Sequence, residues 1–491
     1  MSVPSYGDSD PIAALATVPG ESALALIKVS GAGAIELLAE VFSRPQVLLS
    51  APGHSIVHGW IVYPQSSGQE KIDEVLVSVY RAPASYTGED GADICCHGGI
   101  ATVKALMTVL KDAGLRPALP GEFSFRAFMN GKLDLTRAES VVELVSSKTN
   151  RGRRQAVRRL AGALEKEILE IKTLLVELLA GTEIYLDYSE DEFYDSPSGD
   201  GISDEAAGRL PDRALAVQAA ARLRVLSDLW RRERIYAEGM LAVIAGRPNA
   251  GKSSLFNYLI REDRSIVTDV PGTTRDWIEA LISVEDVPLR LADTAGLRTP
   301  NPETIGKAER IGMERSLELI DRADMVLYLI DGVEGISKED RDFLEKYRND
   351  KAGKSFLIIW NKADIAPPHT SAPPLDEGDL PGQLLAVSAK TGEGIPGLMD
   401  SIAGLMETAI TGTTQDLGND AAGPGTLRQK ELIDASLACV EEALELADRE
   451  EPLDIIAPRL RAAVNALGEI TGEVSSDDIL AAMFSRFCVG K

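Results

Sequence analysis

Cysteine is scarce in this chain: four occur in 491 residues, two of them adjacent at Cys95-Cys96, which excludes a disulfide framework. Aromatic residues make up only 5%. No apolar run reaches the length of a membrane span; the best candidate, Leu174-Leu175-Val176-Glu177-Leu178-Leu179, is interrupted by Glu177. Basic residues are the minority sign, 51 against 76 acidic ones, and the net charge of −25 sets up a field that repels polyanions. Indiscriminate nucleic-acid binding is thereby excluded, though a local patch is not. The first ten residues carry neither a charged-then-apolar signal nor the arginines of a transit peptide. These absences predict a reducing, cytoplasmic setting. The remaining composition, 44% hydrophobic, supports ordinary cores, and a chain of this length is expected to form about two to four domains.

The most informative segment is Gly246-Arg247-Pro248-Asn249-Ala250-Gly251-Lys252-Ser253, which fits GxxxxGK[ST]. It lies between an apolar run, Leu241-Ala242-Val243-Ile244-Ala245, and helical spacing in Ser254-Leu255-Phe256-Asn257-Tyr258-Leu259. Glycine lets such a loop curl until its N–H groups point at phosphate oxygens. The following helix N-terminus adds positive potential, Lys252 can reach the β- and γ-phosphates, and Ser253 can ligate Mg²⁺.

Three further motifs point to guanine. Asp293-Thr294-Ala295-Gly296 follows the strand-like Pro288-Leu289-Arg290-Leu291-Ala292, placing Asp293 at a carboxyl strand end, where α/β sheets bind ligands. Asp293 can hold the magnesium shell, and the Gly296 N–H can touch the γ-phosphate. Asn361-Lys362-Ala363-Asp364 follows Phe356-Leu357-Ile358-Ile359-Trp360. A carboxylate there accepts from guanine N1–H and the 2-amino group, donors that adenine lacks, so Asp364 would reject ATP by being left unpaired in a buried site. Ser388-Ala389-Lys390 follows residues 383–387 and would close over the base.

Between these motifs, Gly272-Thr273-Thr274-Arg275-Asp276 offers a threonine, Thr274, to complete the Mg²⁺ sphere. The residue after Gly296 is Leu297, not glutamine, and an apolar side chain cannot orient the attacking water. Asn249 could ligate a monovalent cation where an arginine finger would otherwise reach, or it could serve only the turn geometry of its loop.

Around this module, residues 1–125 mix short strands (Ala23 to Val29, His54 to Tyr63, Glu74 to Tyr80) with a helix over 100–113, an α+β unit. From about Thr136 the pattern is helical: Leu160, Leu164, Ile168, Ile171, Leu175 and Leu178 form one amphipathic seam. An acidic loop over 187–212 and a helix over 213–237 lead to the nucleotide module, which contains a proline-rich insertion at 366–382. A linker at 411–426 ends it, and helical spacing resumes with Ile433, Leu437, Val440 and Leu444, then Leu460, Val464 and Leu467. The expected architecture is multidomain: 1–125 α+β, 126–238 the first half of an all-α domain, 239–410 an inserted α/β P-loop GTPase, and 411–491 the second helical half. Lys148, Arg151, Arg153, Arg154, Arg158 and Arg159 fall within twelve residues with no acid among them, either a nucleic-acid contact or a solvated face paired with acids elsewhere.

The whole chain resembles the MnmE (TrmE) family of tRNA-modification GTPases. Besides the GTPase motifs, the resemblance rests on Ser85-Tyr86-Thr87-Gly88-Glu89-Asp90, on the stretch from Gly121-Glu122-Phe123-Ser124-Phe125-Arg126 through Asn130-Gly131-Lys132-Leu133-Asp134-Leu135, and on the terminal Phe487-Cys488-Val489-Gly490-Lys491. It implies a K⁺-dependent GTPase in the cytoplasm that pairs as a homodimer. With a flavin-dependent MnmG (GidA)-type partner, the family adds a carboxymethylaminomethyl or aminomethyl group at C5 of the wobble uridine, position 34, of certain tRNAs. By motif matching, Asn249, Thr268, Val270 and Thr273 would hold K⁺, and Ser253 and Thr274 would hold Mg²⁺. Glu309 would orient the attacking water through a bridging water, so Glu309, Lys252 and Thr274 are the catalytic candidates.

The GTP-contacting set implied by the motifs runs through Asn249, Ala250, Gly251, Lys252, Ser253 and Ser254. It continues with Thr268, Asp269, Val270, Pro271, Gly272, Thr273 and Thr274, then Asp293, Thr294, Ala295 and Gly296. Asn361, Lys362, Ala363, Asp364, Ser388, Ala389 and Lys390 complete it. Lys28, Glu89, Lys132 and Lys491 would contact a tetrahydrofolate one-carbon derivative in the N-terminal domain, which also serves dimerisation. Glu21-Ser22 stand where the family usually has Arg-Gly, and Lys28 where arginine is commoner, keeping the charge without the bidentate geometry. Cys488 is either a reactive thiol near the modification site or a small buried residue. The alternative function is an RNA-binding ribosome-assembly GTPase; such proteins carry a KH-like module after the GTPase, whereas this tail reads as helical.

Overall fold

The computed structural model describes residues 10–63, 70–187, 210–262, 278–293, 318–348, 354–368, 382–411, 422–474 and 477–490. They form two compact units, one comprising 1–142, 160–220 and 435–491, the other 143–159 and 221–434.

The first unit is built on six strands: β1 (Ile12–Leu15), β2 (Ser22–Ser30), β3 (Ser55–Val62), β4 (Lys71–Tyr80), β5 (Gly91–Gly98) and β6 (Arg116–Pro117). Their order is β3-β4-β5-β2-β1-β6, antiparallel except where β1 meets β6. Alternation explains the sheet's two faces: in β4, Asp73, Val75, Val77 and Val79 turn inward and their neighbours outward. The three valines join Ile27, Val29 and Ile94 beneath Leu106, Val109 and Leu110 of the helix Ile100–Asp112, while Asp73 accepts from the His97 N–H at 2.8 Å. Cys95 and Cys96 sit on opposite faces of β5, and all four cysteines are free. Burial pushes the Cys96 thiol up to about 11, so it is a packing residue.

The seam expected from Leu160 to Leu178 is divided between two helices. Asn150–Leu160 ends first, Gly162 takes the left-handed conformation (φ 91°), and Ala163–Asp187 begins anew. Leu160 is consequently only half-buried, while Leu164, Ile168, Ile171, Leu175 and Leu178 are at most 1% exposed. This second helix packs against Leu453–Thr471, tied by the pairs Lys172–Glu473 and Arg461–Glu183. Of the expected C-terminal seam, Ile433, Val440, Leu460 and Leu467 are buried, whereas Leu437, Leu444 and Val464 are half-buried. Ser436, Ala443 and Ala463 take the inner positions, and the Ser436 hydroxyl donates to the Ala463 carbonyl.

The second unit holds β7 (Met240–Gly246), β8 (Ile278–Val284), β9 (Val287–Asp293), β10 (Met325–Asp331), β11 (Ser355–Asn361) and β12 (Gln383–Ala386). Their order is β12-β11-β10-β7-β9-β8, parallel except for β8. One face is covered by the helices Lys252–Glu262 and Ile395–Thr411, through Leu255, Leu259, Leu398 and Ile402. The other is covered by Lys338–Arg348, through Leu344 and Tyr347. Burial on both faces explains why β7, β10 and β11 read as continuous apolar runs rather than alternating ones. The chain runs from β7 to β8 and β9 on one side of it and then crosses to β10 on the other, the reversal of strand order that places a crevice at the carboxyl end of β7.

Candidate nucleotide site

At that end the chain turns through Gly246 (φ 138°), Asn249 (φ 66°) and Gly251 (φ 96°) before entering the helix at Lys252. Both glycines are required on space as well as φ. A Cβ on Gly246 would stand 2.3 Å from the Leu329 carbonyl oxygen, and one on Gly251 would stand 2.1 Å from Asn361 Nδ2. Asn249 is exposed and adopts the left-handed region that asparagine tolerates. Lys252 is mostly buried and its ammonium donates to the carbonyls of Gly246 at 2.8 Å and Arg247 at 2.7 Å.

The strand ends deliver the other groups. Asp293, 3% exposed, closes β9 and accepts a 2.8 Å hydrogen bond from Ser253 Oγ. A hydroxyl and a carboxylate meeting beside a phosphate loop form an oxygen donor pair suited to Mg²⁺. Asn361, at the end of β11, donates through Nδ2 to the Ala250 carbonyl at 2.7 Å and accepts at Oδ1 from the Ala389 N–H at 3.0 Å. It joins the phosphate loop to the Ser388-Ala389-Lys390 loop. The Ala363 N–H donates to the Val387 carbonyl at 3.0 Å, so both base-side loops are mutually registered. Ser388 is fully buried and its hydroxyl receives the Thr391 N–H.

Asp364 lies on the exposed surface of this loop rather than in a buried site. Lys362 has φ 63° and its ammonium pairs with Asp331 Oδ2 at 2.5 Å. A cleft of about 480 Å³ opens beside Ser254, Asn257, Tyr258, Arg261, Ala389 and Lys390. Thr268, Asp269, Val270, Pro271, Gly272, Thr273, Thr274, Thr294, Ala295, Gly296 and Glu309 lie outside the described residues.

Arg247 is a contact that motif reading passes over. Its guanidinium stands 3.1 Å from Glu334, 3.6 Å from Glu339 and 4.0 Å from Asp340, anchoring the phosphate loop to the segment after β10. Asp340 is itself held by Tyr328 Oη and Ser337, and burial followed by the Asp340 charge raises the Tyr328 hydroxyl well above its ordinary value.

In the first unit, Lys28, Glu89 and Lys132 meet around one loop. The Lys28 ammonium lies 5.3 Å from the Tyr86 ring centroid and 5.9 Å from that of Phe123. Glu89 accepts from Ser30 Oγ at 2.9 Å and from Arg126 at 3.2 Å. Lys132 donates to the Pro83 carbonyl at 2.9 Å and passes beside Gly88. Ser30, Tyr86, Phe123 and Arg126 join this cluster without standing out in the sequence as site residues, although three of them lie inside the motifs quoted above. Arg126 also meets Glu122, which is fully buried. Burial alone would raise that carboxyl, but hydrogen bonds from Arg116, the Leu119 N–H and Arg126 bring it below the ordinary range. A cation against an aromatic wall suits a flat heteroaromatic ligand bearing carboxylates, which fits a folate.

Cys488 is exposed, not buried: its carbonyl accepts from the Gly121 N–H at 3.3 Å, while neighbouring Phe487 fills the core with Phe484 and Leu135. Lys491 lies outside the described residues. Of the basic cluster, Arg159 is buried between Glu143 and Glu233, at 2.6 and 2.8 Å, whereas Arg151, Arg153 and Arg154 are exposed. Among the described residues, no helix is long and apolar enough to cross a membrane.

Comparison with known proteins agrees with this geometry. The MnmE helical domain family matches residues 135–488, and the GTP-binding protein TrmE N-terminus family matches residues 11–132. A tRNA modification GTPase MnmE of Treponema denticola is 39% identical over 500 residues, covering 100% of both chains. Proteins of the same description from Alkaliphilus oremlandii and Carboxydothermus hydrogenoformans are 35% and 37% identical, each covering 98% of this chain and 99% of the relative. Full-length likeness at this level, together with the phosphate loop and its strand-end partners, places the chain in the MnmE (TrmE) family of tRNA modification GTPases.

Proposed function

We propose that this protein uses K⁺-dependent GTP hydrolysis to drive addition of a carboxymethylaminomethyl or aminomethyl group at C5 of the wobble uridine of certain tRNAs, together with a flavin-dependent MnmG (GidA)-type partner. The observation that carries the reading is the convergence of Lys252, Ser253, Asp293 and Asn361 at the carboxyl ends of parallel strands, in a chain whose full-length relatives are named tRNA modification GTPases.

Lys252 neutralises β- and γ-phosphate charge, and the backbone from Asn249 to Ser254 cradles the phosphates. Ser253 and Thr274 hold Mg²⁺, with Asp293 behind Ser253. Asn249, Thr268, Val270 and Thr273 hold K⁺. Bound there, Mg²⁺ and K⁺ would supply positive charge against the phosphate oxygens, a task an arginine finger performs elsewhere. Glu309 orients the attacking water in place of the glutamine that Leu297 replaces. Asp364 selects guanine, with Asn361 and Ser388 to Lys390 fixing its loop.

Lys28, Glu89, Lys132 and Lys491 bind a tetrahydrofolate one-carbon derivative, and the exposed Cys488 thiol stands at the modification chemistry. The division into 1–125, 126–238, 239–410 and 411–491 is retained as the functional one, with a homodimer in the cytoplasm.

Nucleosides from cells lacking the gene test the tRNA reading, which predicts loss of the wobble-uridine modification; an unchanged nucleoside profile would overturn it. Replacing K⁺ by Na⁺ should slow GTP hydrolysis, and equal rates in the two salts would remove the cation from the scheme.

A further inference from the structure

The helix Asn150–Leu160 has an inward face of Gly152, Gln155, Ala156 and Arg159. Arg159 spends its charge there on Glu143 and Glu233. Arg151, Arg153 and Arg154 occupy the opposite, exposed arc. Among the described residues neither Arg153 nor Arg154 is paired with a carboxylate. An uncompensated basic surface on a chain of net charge −25 is a local reversal of the molecule's own field.

Beside it, within the same compact unit, lies a cavity of about 480 Å³ between the start of this helix and the β8–β9 hairpin. Leu144, Ile282 and Pro288 give it an apolar lining. Lys148 and Arg153 supply cations, and Ser147 and Ser283 supply hydroxyls. Asp286, the acid in the lining, accepts from the Asn150 N–H at 2.9 Å and is thereby held against the wall. An acidic peptide would need only the cations. A nucleotide needs all three classes of group: apolar surface for the base, hydroxyls for its polar edge and ribose, cations for the phosphate. The volume lies in the range of small-molecule sites and well above that of a lone phosphate.

We propose that this face is an RNA-docking surface, in which Arg151, Arg153 and Arg154 bind the phosphodiester backbone and the cavity receives one unpaired nucleotide. The inference rests on the reading of the chain as an enzyme of tRNA and assigns the part of the protein that touches it.

The test uses the full-length protein, fluorescence anisotropy over a KCl series, and two labelled probes: an unmodified tRNA transcript and a fully paired RNA duplex. The double substitution Arg153→Glu with Arg154→Glu should weaken both probes about tenfold or more and reduce the magnitude of the salt slope by about two, one for each phosphate no longer neutralised. The neutral pair Arg153→Gln with Arg154→Gln should fall between it and the parent, and basal GTP hydrolysis should be unchanged in both. Ser283→Trp, at an exposed strand position at the cavity mouth, should weaken the tRNA and spare the duplex. Unaltered tRNA affinity and slope in the charge-reversed protein would overturn the proposal, as would loss of partner-protein binding with RNA binding intact. Equal effects of Ser283→Trp on both probes would overturn the nucleotide seat. The nucleoside profile judges the functional reading separately, so either can fail while the other stands.

Discussion

Ser253 Oγ and Asp293 Oδ2 stand 2.8 Å apart, joining the first residue after the phosphate-loop lysine to the end of β9. Their spacing makes the serine hydroxyl a pre-aimed ligand and the aspartate its orienting group. Asp293→Asn should leave the fold intact and lower Mg²⁺-supported GTP hydrolysis roughly 10- to 100-fold, the usual cost of losing an outer-sphere partner. Turnover measured over a Mg²⁺ titration checks it; a saturation curve superimposable on the parent's would count against this role.

Asn361 is 2% exposed and serves two loops at once. Truncation to alanine strands the Ala250 carbonyl and the Ala389 N–H, each costing about 1–3 kcal/mol when buried and unsatisfied. Asn361→Ala should therefore lower the melting temperature and weaken guanine nucleotide binding together. Calorimetric unfolding and nucleotide titration on the same variant measure both effects.

Arg159 lies between Glu143 and Glu233, the latter carboxylate with no exposed surface. Arg159→Ala leaves that buried charge with only the longer 3.4 Å contact to Arg232, a loss bounded by the roughly 3–5 kcal/mol of a broken buried pair. Adding Glu233→Gln should restore part of the loss, because the group left behind is then neutral. Denaturant midpoints of the single and double variants decide the point.

Glu122 has a folded pKa below its unfolded one. Its stabilisation is accordingly complete above the ordinary carboxylate value of about 4.3 and disappears as pH falls through the lower folded value. The stability gap between parent and Glu122→Gln should be largest near neutrality and shrink on acidification. Melting temperatures of both proteins between neutral and strongly acidic buffers give that difference directly.

The motifs after β7, β9 and β11 are legible because each follows a strand buried on both sides and plainly apolar, whereas Ser388-Ala389-Lys390 follows β12, an edge strand that is largely exposed. β10, equally apolar and fully buried, ends in no motif, and nothing in the sequence draws attention to it. β5 was hidden for a different reason: Gly91, Asp93 and His97 dilute its strand character, and only pairing with β2 and β4 holds it. The helix break at Gly162 was masked by apolar spacing that continues in phase across it. Arg159 could not be told from its arginine neighbours, since its burial depends on carboxylates 16 and 74 residues away. Around Lys28, likewise, the motif segments were visible, but the Arg126–Glu89 and Lys28–Tyr86 contacts arise from tertiary placement.

The bonds from the Lys252 ammonium to the Gly246 and Arg247 carbonyls carry a thermodynamic consequence. The two carbonyls already fix the ammonium at the inner edge of the loop, so little side-chain freedom is left to lose when phosphate charge arrives there.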